Sequence, residues 1–388
     1  MRSSTFDSTA ALKGCATVTT RLKGCATVTA RLKGCATVIA RLKGCATVIG
    51  LKGCATVVAA ILIGVTVAAQ TIQINGAGAT FPNPIYSKWF DEYGKAHGNI
   101  RINYQSVGSG AGIRQIQAQT VFFGATDGPM TNEQLQQAPG KILHFPTVLG
   151  AVVPVYNIPN VTAELKFSGP VLADIFLGKV AKWNDAAIAK LNPGVTLPAI
   201  DITVVHRSDG SGTTYIWVDY LSKTSPEFLK KVGVNTAVNW PTGVGGKGNE
   251  GVSGLVRQTP GSLGYVELIY ALQNKIAYGS VENMAGESVK ASVQSVTAAA
   301  NEAAAKMPAD FRVSITNAPG KGVYPISSFT WLLLYENPKD KAQAKAMVDF
   351  MKWALSDGQK YCGDLGYAPL PESVVKLELA ALAKVKTS

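Results

Sequence analysis

Three times the chain runs a short strand-like segment into a turn of small residues bearing a hydroxyl, and then into a helical pattern. The turns are Gly76-Ala77-Gly78-Ala79-Thr80-Phe81-Pro82, Val107-Gly108-Ser109-Gly110-Ala111-Gly112 and Arg207-Ser208-Asp209-Gly210-Ser211-Gly212-Thr213-Thr214. The first turn of a helix carries unpaired N–H donors and a partial positive charge. Glycine lets the backbone approach an anion, and a Ser or Thr hydroxyl adds another donor. Such a terminus binds oxyanions. One turn of this kind is ordinarily a capped helix, because Ser and Thr are favoured N-caps. Three in one chain, one of them opened by Arg207, point to an anion cradle.

The same alternation runs through most of the chain. Apolar and β-branched runs predict strands at 72–74, 100–104, 121–125, 148–156, 202–205 and 329–335. Helical patterns fall at 84–96, 112–119, 170–177, 185–191, 213–222 and 339–355, with an Ala-rich helix at 296–306 in a surface excursion. Alternation of this type predicts an α/β fold with ligand sites at strand-to-helix loops. The 388 residues, 47% hydrophobic and 16% charged, suffice for two domains with a substantial core.

The first 69 residues stand apart. LKGCATV occurs at 12–18, 22–28, 32–38, 42–48 and 51–57, a unit too short for a solenoid. Lys52, the apolar run from Ala55 to Val67 and the small pair Ala68-Ala69 form a secretory signal, with cleavage expected after Ala69. That leaves a mature chain beginning at Gln70, 319 of the 388 residues. The apolar run is shorter than the roughly 20 residues a membrane-spanning helix needs. Of 37 basic and 25 acidic residues, nine and one precede residue 70, leaving 28 and 24. A mildly basic body of that kind agrees with a small anion and argues against a nucleic-acid surface. Five of the six cysteines also lie in the first 69 residues; Cys362 is left without an internal partner, and no Cys/His cluster indicates a metal.

Two charged residues sharpen the reading. Arg207 offers a planar fork suited to a tetrahedral oxyanion, with Asp209 two residues on to hold it; the ordinary alternatives are a surface salt bridge and a turn-forming Asp. Asp127, in Phe123-Gly124-Ala125-Thr126-Asp127-Gly128-Pro129, makes sense beside an anion only if that anion carries a proton to donate; the ordinary alternative is a helix cap before Pro129. Phosphate near neutral pH keeps a proton and sulfate does not, so a buried acceptor discriminates between them by about 1–3 kcal/mol or more. Signatures of enzymes are missing from the sequence. There is no third glycine of a dinucleotide fingerprint, Gly245-Gly246-Lys247-Gly248 lacks the spacing of a phosphate-binding P-loop, and no Gly-x-Ser-x-Gly turn occurs. His97, His144 and His206 form no ligand spacing.

These residues resemble a known family. From about Ile74 almost to the C-terminus, the chain is similar to the periplasmic phosphate-binding proteins of bacterial phosphate ABC importers. The resemblance is carried by GAGATFP (76–82), FLGKVAKWNDAAIAKLNPG (176–194), RSDGSGT (207–213), GGKGNEG (245–251) and GSLGYVE (261–267). It implies a two-lobed periplasmic binding protein of type II-like architecture, an α/β fold whose lobes are joined by two hinge strands. Lobe I would comprise 70–152 and 325–388, and lobe II 153–324, with residues 1–69 outside the fold. The ligand positions it implies are Thr80, Phe81, Ser109, Asp127 as proton acceptor, Arg207, Ser211, Gly212 and Thr213, with Asp209 supporting the arginine. Phe122 departs from the family pattern, which often has Asp there, at a position that is not a ligand.

The expected function is capture of inorganic phosphate in the periplasm by a monomer and its delivery to a membrane permease, without catalysis, cofactor, metal or nucleic acid. The competing readings are a receptor for arsenate or sulfate, a phosphate-ester hydrolase, or a scaffold that keeps the fold but not transport.

Overall fold

The computed structural model describes residues 17–22, 26–31, 71–304 and 306–388. The chain divides into two units, Met1–Ala68 and Ala69–Ser388. In the first, β1 (Thr17–Leu22) pairs antiparallel with β2 (Ala26–Arg31) inside the repeated segment. The apolar signal segment and its junction after Ala69 lie outside the described residues.

Among its described residues the second unit holds twelve strands: β3 (Ile72–Gly78), β4 (Ile100–Ser106), β5 (Phe123–Thr126), β6 (Ile142–Asn157), β7 (Lys166–Phe167), β8 (Thr203–Arg207), β9 (Val244–Gly246), β10 (Ser262–Glu267), β11 (Ala277–Tyr278), β12 (Ser280–Glu282), β13 (Ser288–Val289) and β14 (Ser327–Tyr335). Nine of them form one sheet in the order β4-β3-β5-β14-β6-β10-β8-β9, with β11 also on β6; β13, β12 and β7 form a small second sheet. On one flank β3 runs parallel to β4 and β5, and on the other β8 runs parallel to β9 and β10. The antiparallel strands β6 and β14 lie between the flanks. Two α/β lobes therefore share one sheet: the alternating pattern predicts the α/β fold, and the family resemblance implies the two lobes.

Strand β6 is the link. Its sequence, ILHFPTVLGAVVPVYN, is buried along nearly its whole length, so it reads as a continuous apolar run and not as an alternating one. Residues Ile142 to Ala151 pair with β14, from Tyr335 to Ser327; Val152 to Asn157 pair with β10, from Glu267 to Ser262. The handover falls between Ala151 and Val152.

The strand expected at 148–156 is thus longer, and Pro146 lies within it. A proline inside a sheet is tolerated at a bulge, and the β14 register shifts between Thr330, opposite Val148, and Trp331, opposite Pro146. The helix expected at 112–119 runs instead over Ser109–Gln117, because Gly108 at φ 92° turns the chain one residue before it. Helix Asn83–Ala96 starts on Pro84 in its first turn and buries Ile85, Tyr86, Trp89 and Tyr93, one face at helical spacing.

Candidate functional site

Every candidate residue follows or closes a parallel strand at its carboxyl end, where open α/β sheets hold their ligands. Thr80 and Phe81 follow β3, Ser109 follows β4, Asp127 follows β5 and Arg207 closes β8. Ser211, Gly212 and Thr213 begin the helix Gly212–Thr224. Thr80, Ser109, Asp127, Arg207, Ser211 and Thr213 are each 3% exposed or less.

The small-residue turns touch one another. Gly110 N–H donates to Gly210 C=O at 2.8 Å. Ser109 Oγ accepts from Asp127 N at 3.2 Å and from Gly212 N at 3.0 Å. It is not a cap; Ser211 is, accepting from Thr214 N at 3.0 Å. Glycine is required at both points of closest approach. A Cβ on Gly108 would lie 2.3 Å from Asp209 Oδ2, and one on Gly212 would lie 2.5 Å from Ser109 Oγ.

Arg207 is a buried group and not part of a surface salt bridge. Its Nε donates to Asp209 Oδ1 at 2.8 Å and its Nη2 to Asp209 Oδ2 at 2.6 Å, a two-pronged pair that fixes the guanidinium plane. Asp209 Oδ1 also accepts Gly248 N at 3.0 Å. Burial pushes the Asp209 carboxyl up, but the Arg207 bonds and charge and the Gly248 amide outweigh it and hold the carboxyl below its usual range. Arg207 Nη1 reaches Thr213 Oγ1 at 3.2 Å.

Among the described residues, no cation lies within salt-bridge distance of Asp127, whose carboxyl is bonded by hydroxyls. Burial pushes its carboxyl up to about 7; the Thr330 hydroxyl, the Arg207 charge and Ser109 act in the other direction. Thr330 Oγ1 donates to Asp127 Oδ1 at 2.8 Å. The helix cap expected as the ordinary role for Asp127 belongs instead to Thr131, whose side chain accepts Gln134 N.

Three further contributors were not found by reading the sequence. Asn249 Nδ2 donates to Thr80 Oγ1 at 2.7 Å and to Thr213 Oγ1 at 3.1 Å. The hydroxyls of Tyr270 and Tyr367 donate to the carbonyls of Thr80 and Phe81, each at 2.6 Å. Those bonds hold the two carbonyls; among the described residues, the Thr80 and Phe81 N–H groups have no protein acceptor. GGKGNEG and the aromatic positions were the available signals, but their partners are distant in sequence. His206 at the end of β8 stacks on Trp240 with ring centroids 5.2 Å apart, and burial lowers its pKa. Among the described residues no group of three or more His, Cys, Asp and Glu side chains is placed to hold a metal ion.

A two-lobed sheet whose parallel strands bring their carboxyl ends together over one buried cluster defines a substrate-binding protein of the periplasmic type. Residues 65–358 match the PBP superfamily domain. The chain is 51% identical to the phosphate-binding protein PstS of Xylella fastidiosa, over 79% of its own length and 84% of the relative's. It is 49% identical to the phosphate-binding protein PstS of Pasteurella multocida, over 84% and 93%. A phosphate-binding protein from Stenotrophomonas maltophilia superposes with a TM-score of 0.61 at 18% identity, covering 80% of this chain and 94% of that one, a likeness in fold. The chain belongs to the PstS family of phosphate-binding proteins.

Proposed function

We propose that this chain captures inorganic phosphate between its lobes and delivers it to the membrane permease of an ABC importer. Family membership supports the substrate class, and the site chemistry agrees with it. Arg207 supplies a fixed guanidinium, and the turns at Thr80–Phe81, Ser109 and Ser211–Thr213 supply amide and hydroxyl donors. Asp127 accepts the proton that phosphate retains. The observation that carries this reading is the presence of Arg207 and Asp127 in one buried cluster, each joined to it through a hydroxyl: Arg207 Nη1 donates to Thr213 Oγ1 at 3.2 Å, and Ser109 Oγ donates to Asp127 Oδ2 at 3.4 Å. Micromolar capture needs about 8.2 kcal/mol. Several charge-assisted bonds of about 1.5–3 kcal/mol each supply that after the anion is desolvated.

In this reading residues 70–152 and 325–388 form one lobe and 153–324 the other, and the strand crossings near Val152 and Tyr324 act as the hinge. The protein works as a periplasmic monomer, after removal of residues 1–69, and performs no catalysis. Titration calorimetry on the chain beginning at Gln70 tests it. Phosphate binds, equimolar sulfate does not, and Arg207→Ala weakens phosphate binding by about a hundred-fold or more, the equivalent of nearly 3 kcal/mol. Tight sulfate binding, or an unchanged Arg207→Ala, would overturn the assignment.

A further inference from the structure

We infer that Asn249 is a positioning residue that turns two site hydroxyls into obligate donors and ties the two flanks of the sheet together over the ligand. The inference rests on the phosphate reading. Asn249 is fully buried in the first turn of the helix Gly248–Gln258, just after β9. Its Oδ1 accepts Glu267 N at 3.0 Å. That backbone donor fixes the orientation of the side-chain amide, so Nδ2 must be the end directed at the site.

Nδ2 then donates to Thr80 Oγ1 at 2.7 Å and to Thr213 Oγ1 at 3.1 Å, while Asn249 N–H also reaches Thr80 Oγ1 at 3.3 Å. Thr213 Oγ1 receives a second donor from Arg207 Nη1 at 3.2 Å. A hydroxyl oxygen has two acceptor positions and one proton. Both oxygens are filled by N–H donors, so each hydroxyl can only give its proton away. The outlet left for it is an acceptor-rich ligand such as an oxyanion. Thr80 follows β3 on one flank of the sheet and Thr213 follows β8 on the other, so the same amide is also a clasp across the site. Neither role was assigned by the sequence pattern, in which Asn249 was one letter of GGKGNEG.

Two variants test this against the chain beginning at Gln70, with inorganic phosphate as the probe and stopped-flow rates beside calorimetry. Asn249→Ala removes both donors, and phosphate Kd rises about ten-fold or more. The change falls mainly in the dissociation rate, because the clasp acts after encounter. Asn249→Asp keeps the shape but presents acceptors to the two hydroxyls, and it costs more affinity than alanine does. The thermal midpoint of the ligand-free protein, read by circular dichroism, separates loss of binding from loss of fold. An alanine variant within two-fold of wild type, or an aspartate variant that binds as well as wild type, overturns the inference. Failure of the wild-type chain to bind phosphate overturns the functional reading instead.

Discussion

The Thr330 hydroxyl donates to Asp127 Oδ1 at 2.8 Å, from the residue at which β14 shifts register opposite Pro146 and Val148. The neighbouring Trp331 pairs with Thr126 on β5, so the antiparallel register of β14 and β5 brings Thr330 beside the buried carboxylate. This bond is the strongest of the influences holding Asp127 down against burial. Thr330→Val keeps the shape and removes the donor. The Asp127 carboxyl then rises above about 7. Phosphate affinity at pH 7 falls about ten-fold or more, the worth of one hydrogen bond to a charged group. Calorimetry at pH 7 and pH 8.5 checks it, with a smaller loss expected at the higher pH.

On the proposed reading, Asp127 makes binding proton-linked. A carboxyl raised to about 7 is mostly protonated at pH 6 in the ligand-free protein and must ionise to accept the ligand's proton. Phosphate binding at pH 6 therefore releases a proton, and affinity rises between pH 5 and pH 8. The check is the dependence of the observed binding heat on buffer ionisation enthalpy; a heat independent of buffer would remove Asp127 from the proton-accepting role. Asp127→Asn abolishes the buffer dependence and admits sulfate, since the amide can donate where the carboxylate repels.

Gly212 is a point of close approach between the turns and the Asp127 side chain. An added Cβ would lie 2.5 Å from Ser109 Oγ and 2.6 Å from both Asp127 Cβ and Oδ2. The conformation of this helical residue suits alanine, so the penalty is one of contact and not of backbone strain. Gly212→Ala is expected to fold with a melting temperature lowered by several degrees, as Ser109 and Asp127 are pushed aside, and to lose phosphate binding by about a hundred-fold.

The turns that meet at the candidate site were legible because helix-start chemistry is local. Gly, Ser and Thr at the end of a strand declare themselves within six or seven residues, and Arg207 with Asp209 sits inside one such stretch. Asn249 and Thr330 were not legible. Asn249 acts through Thr80, 169 residues away, and Thr330 through Asp127, 203 residues away. Only the sheet order creates those meetings. The same limit hid β9, β10 and the helix Gly248–Gln258, whose glycine-rich segments weaken any periodic signal; the close approaches at Gly246 and Gly264 supply the reason for those glycines. Strand β6 was half recognised, since Pro146 interrupts a run whose continuity depends on a bulge at Thr147, between Pro146 and Val148.

Glu378 offers a test of stability apart from the site. It is fully buried on the helix Glu372–Leu382, and among the described residues neither of its carboxyl oxygens has a hydrogen-bond partner. Burial pushes its pKa well above the carboxylate range. A raised folded pKa means that the native state holds a proton the unfolded chain releases above about pH 4.3. Native stability therefore declines as pH rises from there toward the folded pKa, by about 1.4 kcal/mol per unit. Glu378→Met removes both unsatisfied oxygens at similar volume and should stabilise the protein. The gain is about 1–3 kcal/mol at pH 4, from the unpaired oxygens, and widens by up to about 1.4 kcal/mol per unit as pH rises toward 7. Urea denaturation of both proteins at pH 4, 5.5 and 7 measures it. A gain that did not widen with pH would mean that Glu378 is not a protonated, unpaired carboxyl in the folded chain.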